Sequence, residues 1–302
     1  MKAAVLHEYG GPSKLHYEEF PDPKPGSGEV LIRVLAASVN PVDWKMRSGD
    51  ARERFPVQFP GILGRDVAGV VAALGEGVEG FQAGDRVFAL AHQTYAELCV
   101  VNASDLAHLP GGMEMTTAGA IPLVSLTGDQ LIREATEVQA GQTILLTGAT
   151  GSVGRCALFA ALEIGAKVIA GVRKKQKEEA LALGAVAAID LEDHAEMASL
   201  GFVDGVADTV GGKFGPALLS KVKPGGAYGT LLGPPQGAVL HPLVRVKPMM
   251  AQPQPATIVH YAEAIRDGRL KLPIGEILPL SEAASAQAKA EKGGTGKIIL
   301  VP

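Results

Sequence analysis

Two cysteines in 302 residues, Cys99 and Cys156, are too few for a disulfide framework or a cysteine-rich zinc site. Aromatic residues are also scarce, at eight Phe, five Tyr and one Trp. That argues against a surface on which the bases of single-stranded nucleic acid stack. Nor is there an excess of positive charge: 28 Lys and Arg against 32 Asp and Glu leave a formal charge of −4. No global basic field exists to draw in nucleic acid or anionic lipid. Long apolar runs are missing as well. The run Ala3 to Leu6 is too short for a signal peptide, and the longest uncharged stretch, Pro224 to Val244, carries four Pro and five Gly, so it cannot be a spanning helix. The seven histidines show no metal-ligand spacing. Neither Ser125 nor Ser152 has the glycine two residues earlier that a hydrolase nucleophile elbow needs. These absences predict a soluble, reduced, cytoplasmic protein without nucleic-acid or membrane partners.

What is present changes character along the chain. The first 110 or so residues are short Val, Leu and Ile runs, such as EVLIRVLAASV and DVAGVVAAL, separated by turn compositions such as PDPKPGSG and LGEGVEG. Closely spaced strands without long helices predict a barrel or sandwich. From about Met113 the period lengthens, with one helix expected over Thr116 to Ala135. Strands and helices then alternate: QTILLT, a helix from Ser152 to Ile164, KVIAG, a helix around Lys175 to Leu183, AAID, GVADTV, a helix near Phe214 to Ser220, and GGAYGTLL. Alternating units of this length predict a parallel sheet covered by helices. Gly165 and Gly184 stand where C-cap glycines belong. After Pro253 helix and strand patterns mix again, and pattern alone does not assign that tail to either domain.

The sharpest local signal is ILLTGATGSVG. Gly148, Gly151 and Gly154 follow a buried-strand run and open an apolar helix, and KVIAG supplies the next strand. Glycines there let the backbone approach a pyrophosphate, whose charge rests on the free N–H groups at the helix start. The first glycine of the usual fingerprint is replaced by Ala149. An NAD site places an acid at the end of the second strand, to hold the ribose hydroxyls. This chain instead reads Gly171-Val172-Arg173-Lys174-Lys175-Gln176-Lys177. Four cations at that point suit the 2′-phosphate of NADPH; the alternative is a solvated, positively charged helix start, which the helix dipole opposes.

With these residues in view, the sequence resembles the medium-chain dehydrogenase/reductase superfamily, and within it the zinc-free quinone oxidoreductases of zeta-crystallin type and related enone reductases. The resemblance is carried by SVNPVDWKMRSG, FPGILGRDVAGVVAALGEGVEGFQAGDRV, TYAELCVV, ILLTGATGSVG, GVADTVGG and GKIILVP, over essentially the whole chain. It implies an α/β protein in which a Rossmann doubly wound parallel sheet, residues 113–254, binds the cofactor. A GroES-like β-barrel domain, residues 1–112 and 255–302, would complete the molecule, with a cleft between the two. The resemblance further implies cofactor contacts at Thr127, Gly148, Ala149, Thr150, Gly151, Ser152, Val153, Gly154, Arg173, Lys174 and Lys177, with Gly211, Gly233 and Pro234 near the nicotinamide. A homodimer is expected only because dimers are the commonest oligomers.

Where zinc-dependent relatives carry metal ligands, this chain has Asn40 and then Arg65 with Asp66, and no Cys near Leu123. Without a Lewis acid, alcohol oxidation gives way to reduction of a quinone or an α,β-unsaturated carbonyl. The resemblance then points to Asn40, Asp43 and Lys45 as catalytic residues, Lys45 offering an ammonium donor to a developing enolate. The plainer readings stay open: Asn40 and Asp43 as turn formers, Lys45 as a solvated lysine, and Arg65 with Asp66 as a salt bridge in the vacated metal position. An enoyl-thioester reductase and a non-catalytic NADPH-binding protein are the rival functions.

Overall fold

A computed structural model describes all residues, 1–302. The chain divides into two compact units, residues 1–123 with 253–302, and residues 124–252. In the second unit six strands form one fully parallel sheet. Their spatial order is Ala187–Asp190, Lys167–Val172, Thr143–Thr147, Val203–Asp208, Val222–Thr230 and Arg245–Pro248. Numbered along the chain that is 3-2-1-4-5-6, the doubly wound Rossmann order. Alternate side chains of a strand point to opposite faces. Ile144 and Leu146 accordingly enter the core beneath helix Ser152–Ile164, beside Ala157, Ala160 and Ala161, while Leu145 enters the core on the other face with Val206 and Tyr228. That helix ends at Gly165, whose φ of 84° is the left-handed C-cap expected of a glycine.

The single helix expected over Thr116 to Ala135 is instead three pieces. Met115–Ala118 stops short, Pro122–Gln130 is a separate helix, and Leu131–Thr136 is a π-helical turn. Proline lacks an N–H and is accommodated in a helix's first turn, so Pro122 opens the second piece rather than interrupting a longer one. Sequence pattern also missed two short elements. Helix His194–Ser199 shows almost no apolar face and depends on the Asp193 carboxylate, which accepts the N–H groups of Ala195 and Glu196. Strand Arg245–Pro248 is a four-residue edge strand that ends in proline.

The first unit is a GroES-like β-structure. A three-stranded antiparallel sheet joins Leu15–Glu19, Lys2–Leu6 and Gly61–Ile62. A seven-stranded sheet is centred on Glu29–Ser38, whose Val30, Ile32 and Val34 alternate into the core. Its neighbours Asp66–Leu74 and Leu98–Asn102 pair with it antiparallel. The C-terminal strand Lys297–Val301 also joins it, with Ile299 opposite Ser38 and Leu300 opposite Ala37. That pairing assigns the tail to this unit and, followed two residues on, brings Lys297 opposite Asn40.

Candidate functional site

In the first unit strand Glu29–Ser38 runs into helix Pro41–Ser48 through Asn40. Pro41 suits the first helical position because its missing N–H would have no partner there. The Asp43 carboxylate accepts the Asn40 N–H at 2.8 Å, closing the turn, and the Tyr95 hydroxyl donates to the same oxygen at 2.8 Å. Its other oxygen, Oδ1, is buried without a partner. Burial drives the Asp43 carboxyl up to about 6, against the lowering effect of those two hydrogen bonds. Burial likewise raises the Tyr95 hydroxyl, so it stays a donor.

Asp66, opening the adjacent strand, is fully buried and gathers donors from four directions. Ser38 Oγ donates at 2.5 Å, Asn40 Nδ2 at 2.8 Å and the Leu123 N–H at 2.6 Å, and Lys297 Nζ lies 3.4 Å away. Lys297, only 5% exposed, also donates to Asn40 Oδ1 at 2.5 Å. The remaining Asn40 amide hydrogen turns to Ser38, 3.3 Å from its carbonyl and hydroxyl oxygens. Every polar atom of the Asn40 side chain is therefore committed within this cluster. The ion pair of the vacated metal position is thus Lys297 with Asp66, and Arg65 is not part of it. Arg65 turns away and donates from Nε to the Ala91 carbonyl at 3.1 Å. Lys297 escaped the sequence reading because a lysine at the first position of an apolar strand reads as a solvated end. Only its register against Ser38 shows that it is internal.

Lys45 lies on the same helix, half-buried, and its ammonium makes no hydrogen bond or ion pair. Trp44, the sole tryptophan, packs against the unit's core.

In the second unit the glycine loop leaves strand Thr143–Thr147 at the switch point of the sheet, where strand order reverses and ligands of open α/β sheets bind. Gly148 has φ 66° and donates its N–H to the Gly171 carbonyl at 2.8 Å, tying the loop to the next strand. A Cβ on Gly154 would collide with the Gly148 carbonyl, so loop and helix approach as only glycine permits. Ala149 is fully buried, and Thr150 accepts from Arg155 Nε through its carbonyl at 2.9 Å. Ser152, Val153 and Gly154 occupy the first helical turn, whose N–H groups have no intrahelical acceptor. Gly128 packs helix Pro122–Gln130 onto helix Ser152–Ile164 so closely that a Cβ there would lie 2.6 Å from the Ala157 nitrogen. Its neighbour Thr127 is 8% exposed.

The cations after the second strand divide into two kinds. Arg173 and Lys174 are exposed, and their charged groups contact no acid. Lys177 is held: its ammonium donates to both Glu196 oxygens at 2.8 Å, and the same carboxylate accepts the Asp190 N–H.

The sequence reading passed over Asp208, the last residue of strand Val203–Asp208. It is buried and accepts from the Thr147 hydroxyl at 2.7 Å, the Tyr228 hydroxyl at 2.6 Å, the Gly211 N–H at 2.9 Å and the Val210 N–H at 3.1 Å. One carboxylate thus ties the ends of three neighbouring strands and fixes Gly211, whose φ of 66° and ψ of −152° suit only glycine. An acid at the end of an apolar strand, followed by Gly-Gly, was the available signal. Gly233 has φ 98° with open space around it, its carbonyl accepting from the Thr230 hydroxyl, and Pro234 follows.

Sequence profiles of two domains match the chain: the alcohol dehydrogenase GroES-like domain over residues 26–133 and the zinc-binding dehydrogenase over residues 183–300. Zinc does not fit the residues present. Nowhere do three or more His, Cys, Asp or Glu side chains gather as a metal would need, and the Lys297 ammonium already supplies positive charge beside Asp66. A quinone oxidoreductase of Pseudomonas aeruginosa is 33% identical over 326 residues, covering 97% of each chain. The quinone oxidoreductase of Coxiella burnetii superposes with a TM-score of 0.89 at 28% identity, over 100% of this chain and 99% of that one. The Escherichia coli quinone oxidoreductase complexed with NADPH gives 0.88 at 26% identity, over 100% of both. The glycine cradle at the switch point fits a dinucleotide such as the NADPH of the Escherichia coli complex. This chain belongs to the medium-chain dehydrogenase/reductase superfamily, in its quinone oxidoreductase branch of NAD(P)H-dependent reductases.

Proposed function

We infer that the chain is an NADPH-dependent, zinc-free reductase that delivers hydride to a quinone or an α,β-unsaturated carbonyl compound. The observation that carries this is the exposed pair Arg173 and Lys174, in no ion pair although Asp193 acts on Lys174 through space, following a strand hydrogen-bonded to the glycine loop. NADPH, when bound, supplies the hydride. The N–H groups of Ser152 and Val153 hold the pyrophosphate, and Arg173 and Lys174 receive the 2′-phosphate through charge-assisted bonds. Gly211, Gly233 and Pro234 present little side-chain bulk to the nicotinamide, and Asp208 sets the conformation of Gly211. On the acceptor side, Lys45 donates a hydrogen bond to the carbonyl oxygen on which negative charge develops. Asn40 and Asp43 act through the start of the helix that carries Lys45, since their own polar atoms are engaged there or buried.

The test is NADPH consumption across quinones, enones, alkenals and enoyl thioesters. Turnover with a quinone or enone is expected, together with negligible NADP-dependent oxidation of alcohols; chelator-sensitive alcohol oxidation would overturn the proposal. Lys45→Met should lower enone kcat by on the order of 10²-fold with little change in the KM for NADPH. A loss under about threefold in a folded, NADPH-saturable protein would remove Lys45 from the chemistry.

A further inference from the structure

A cavity of about 460 Å³ opens in the first unit alone, within the size range of small-molecule sites. Met46, Val57 and Leu63 give it apolar walls, and Gln93, His92 and Arg65 are among its polar lining. No acidic side chain lines it. Burial and the nearby Arg65 push the His92 imidazole down, so it stands neutral at pH 7 and Arg65 is the one charge at the wall.

Arg65 is only 8% exposed, yet its guanidinium is largely unanswered. Nε donates to the Ala91 carbonyl, and the Phe55 ring centroid lies 5.8 Å away. Neither Nη nitrogen makes a hydrogen bond, and no carboxylate forms an ion pair with it. The two nearest candidates are used elsewhere. Asp66 is surrounded by Ser38, Asn40, Leu123 and Lys297, and Asp43 faces Tyr95 and the Asn40 N–H. Both act on Arg65 only through space. Neither Nη is sealed away as a buried, unpartnered atom, so both stay open to a ligand, and the planar fork of a guanidinium matches two oxygens of a carboxylate.

We propose that this cavity is an anion-selective substrate subsite, in which the free Nη donors of Arg65 grip a carboxylate while the apolar walls hold the rest of a small conjugated carbonyl compound. The preferred acceptors are then acidic enones and quinones rather than their neutral counterparts. Turnover of such compounds rests on the reductase reading above; their binding does not.

Two measurements test it. The first compares kcat/KM for 3-benzoylacrylate with that for its methyl ester, which is intrinsically the more electrophilic. The wild-type enzyme should favour the acid by at least about tenfold, a difference of ~1.4 kcal/mol. Arg65→Met should bring the ratio to about one or below, and Arg65→Lys should keep part of it. A wild-type ratio near one, or a preference that survives Arg65→Met, overturns the proposal. The second needs no turnover: calorimetric titration of the folded protein with benzoate and with benzamide. Benzoate should bind more tightly, and the advantage should vanish in Arg65→Met. Should NADPH reduce no acceptor at all, Arg65-dependent benzoate binding would sustain the subsite while the reductase reading falls. Neutral enones turned over by a protein indifferent to benzoate would overturn the subsite alone.

Discussion

Replacing Lys297 by Met tests whether the pair at the vacated metal position holds the first unit together. Met fills most of the lysine's volume but removes the ammonium that donates to Asn40 Oδ1 at 2.5 Å and faces Asp66 at 3.4 Å. Asp66, fully buried, would keep only neutral donors, and Asn40 Oδ1 would lose its hydrogen bond. Breaking a buried ion pair from one side costs about 3–5 kcal/mol, because the remaining charge has nowhere to go. For a unit of this size class each kcal/mol lowers Tm by roughly 2–4 °C, so the expected fall is on the order of 6–20 °C. Urea unfolding followed by Trp44 fluorescence reports on the first unit alone, since Trp44 is the only tryptophan and lies in that unit's helix Pro41–Ser48. Asp66→Asn and the double variant complete a cycle. The double should be less destabilised than the sum of the singles by ~1 kcal/mol or more, because removing both charges leaves neither stranded. A loss under ~1 kcal/mol for Lys297→Met, or additivity within about 0.5 kcal/mol, would refute the reasoning.

Asp43, the glycine loop and the cations after the second strand each give a further outcome. Asp43 titrates near 6 when folded against an ordinary 3.8, so its contribution is full below about pH 3.8 and is lost as pH rises through about 6, by ~3 kcal/mol in total. Asp43→Asn should flatten the urea midpoint over that interval; equal slopes in both proteins would contradict this. Gly154→Ala should weaken NADPH at least about tenfold in equilibrium binding, because the added Cβ collides with the Gly148 carbonyl; unchanged affinity would show that the loop tolerates the shift. Arg173→Gln with Lys174→Gln should weaken NADPH roughly fivefold to tenfold while sparing NADH, whereas Lys177→Gln should barely alter that preference because Glu196 holds its ammonium. An effect confined to Lys177→Gln would reverse this assignment.

Most of the fold was legible because its signals are local. The parallel sheet announces itself through alternating strand and helix periods, and the glycine loop through the strand before it and the helix after it. What stayed hidden depends on register and distant pairing. Lys297 is 257 residues from Asn40, and no local pattern says that a strand-end lysine enters a buried cluster. The salt bridge expected between Arg65 and Asp66 failed for a related reason. Arg65 immediately precedes strand Asp66–Leu74, and neighbours along an extended chain face opposite ways, so the partner of Asp66 comes instead from another strand. Lys177 shows the same limit: its position predicted a phosphate contact, and only the approach of helix His194–Ser199 supplies Glu196 to hold it.

The central claim is direct hydride delivery from NADPH to a conjugated acceptor. The most direct measurement is reduction of an enone with NADPH deuterated at C4 on one face and then on the other, with the product analysed by NMR. One of the two labels should appear at the β-carbon of a saturated ketone, and the matched NADH experiment should proceed much more slowly. Deuterium on the carbonyl carbon of an allylic alcohol, or a product free of label from both cofactors, would contradict the account.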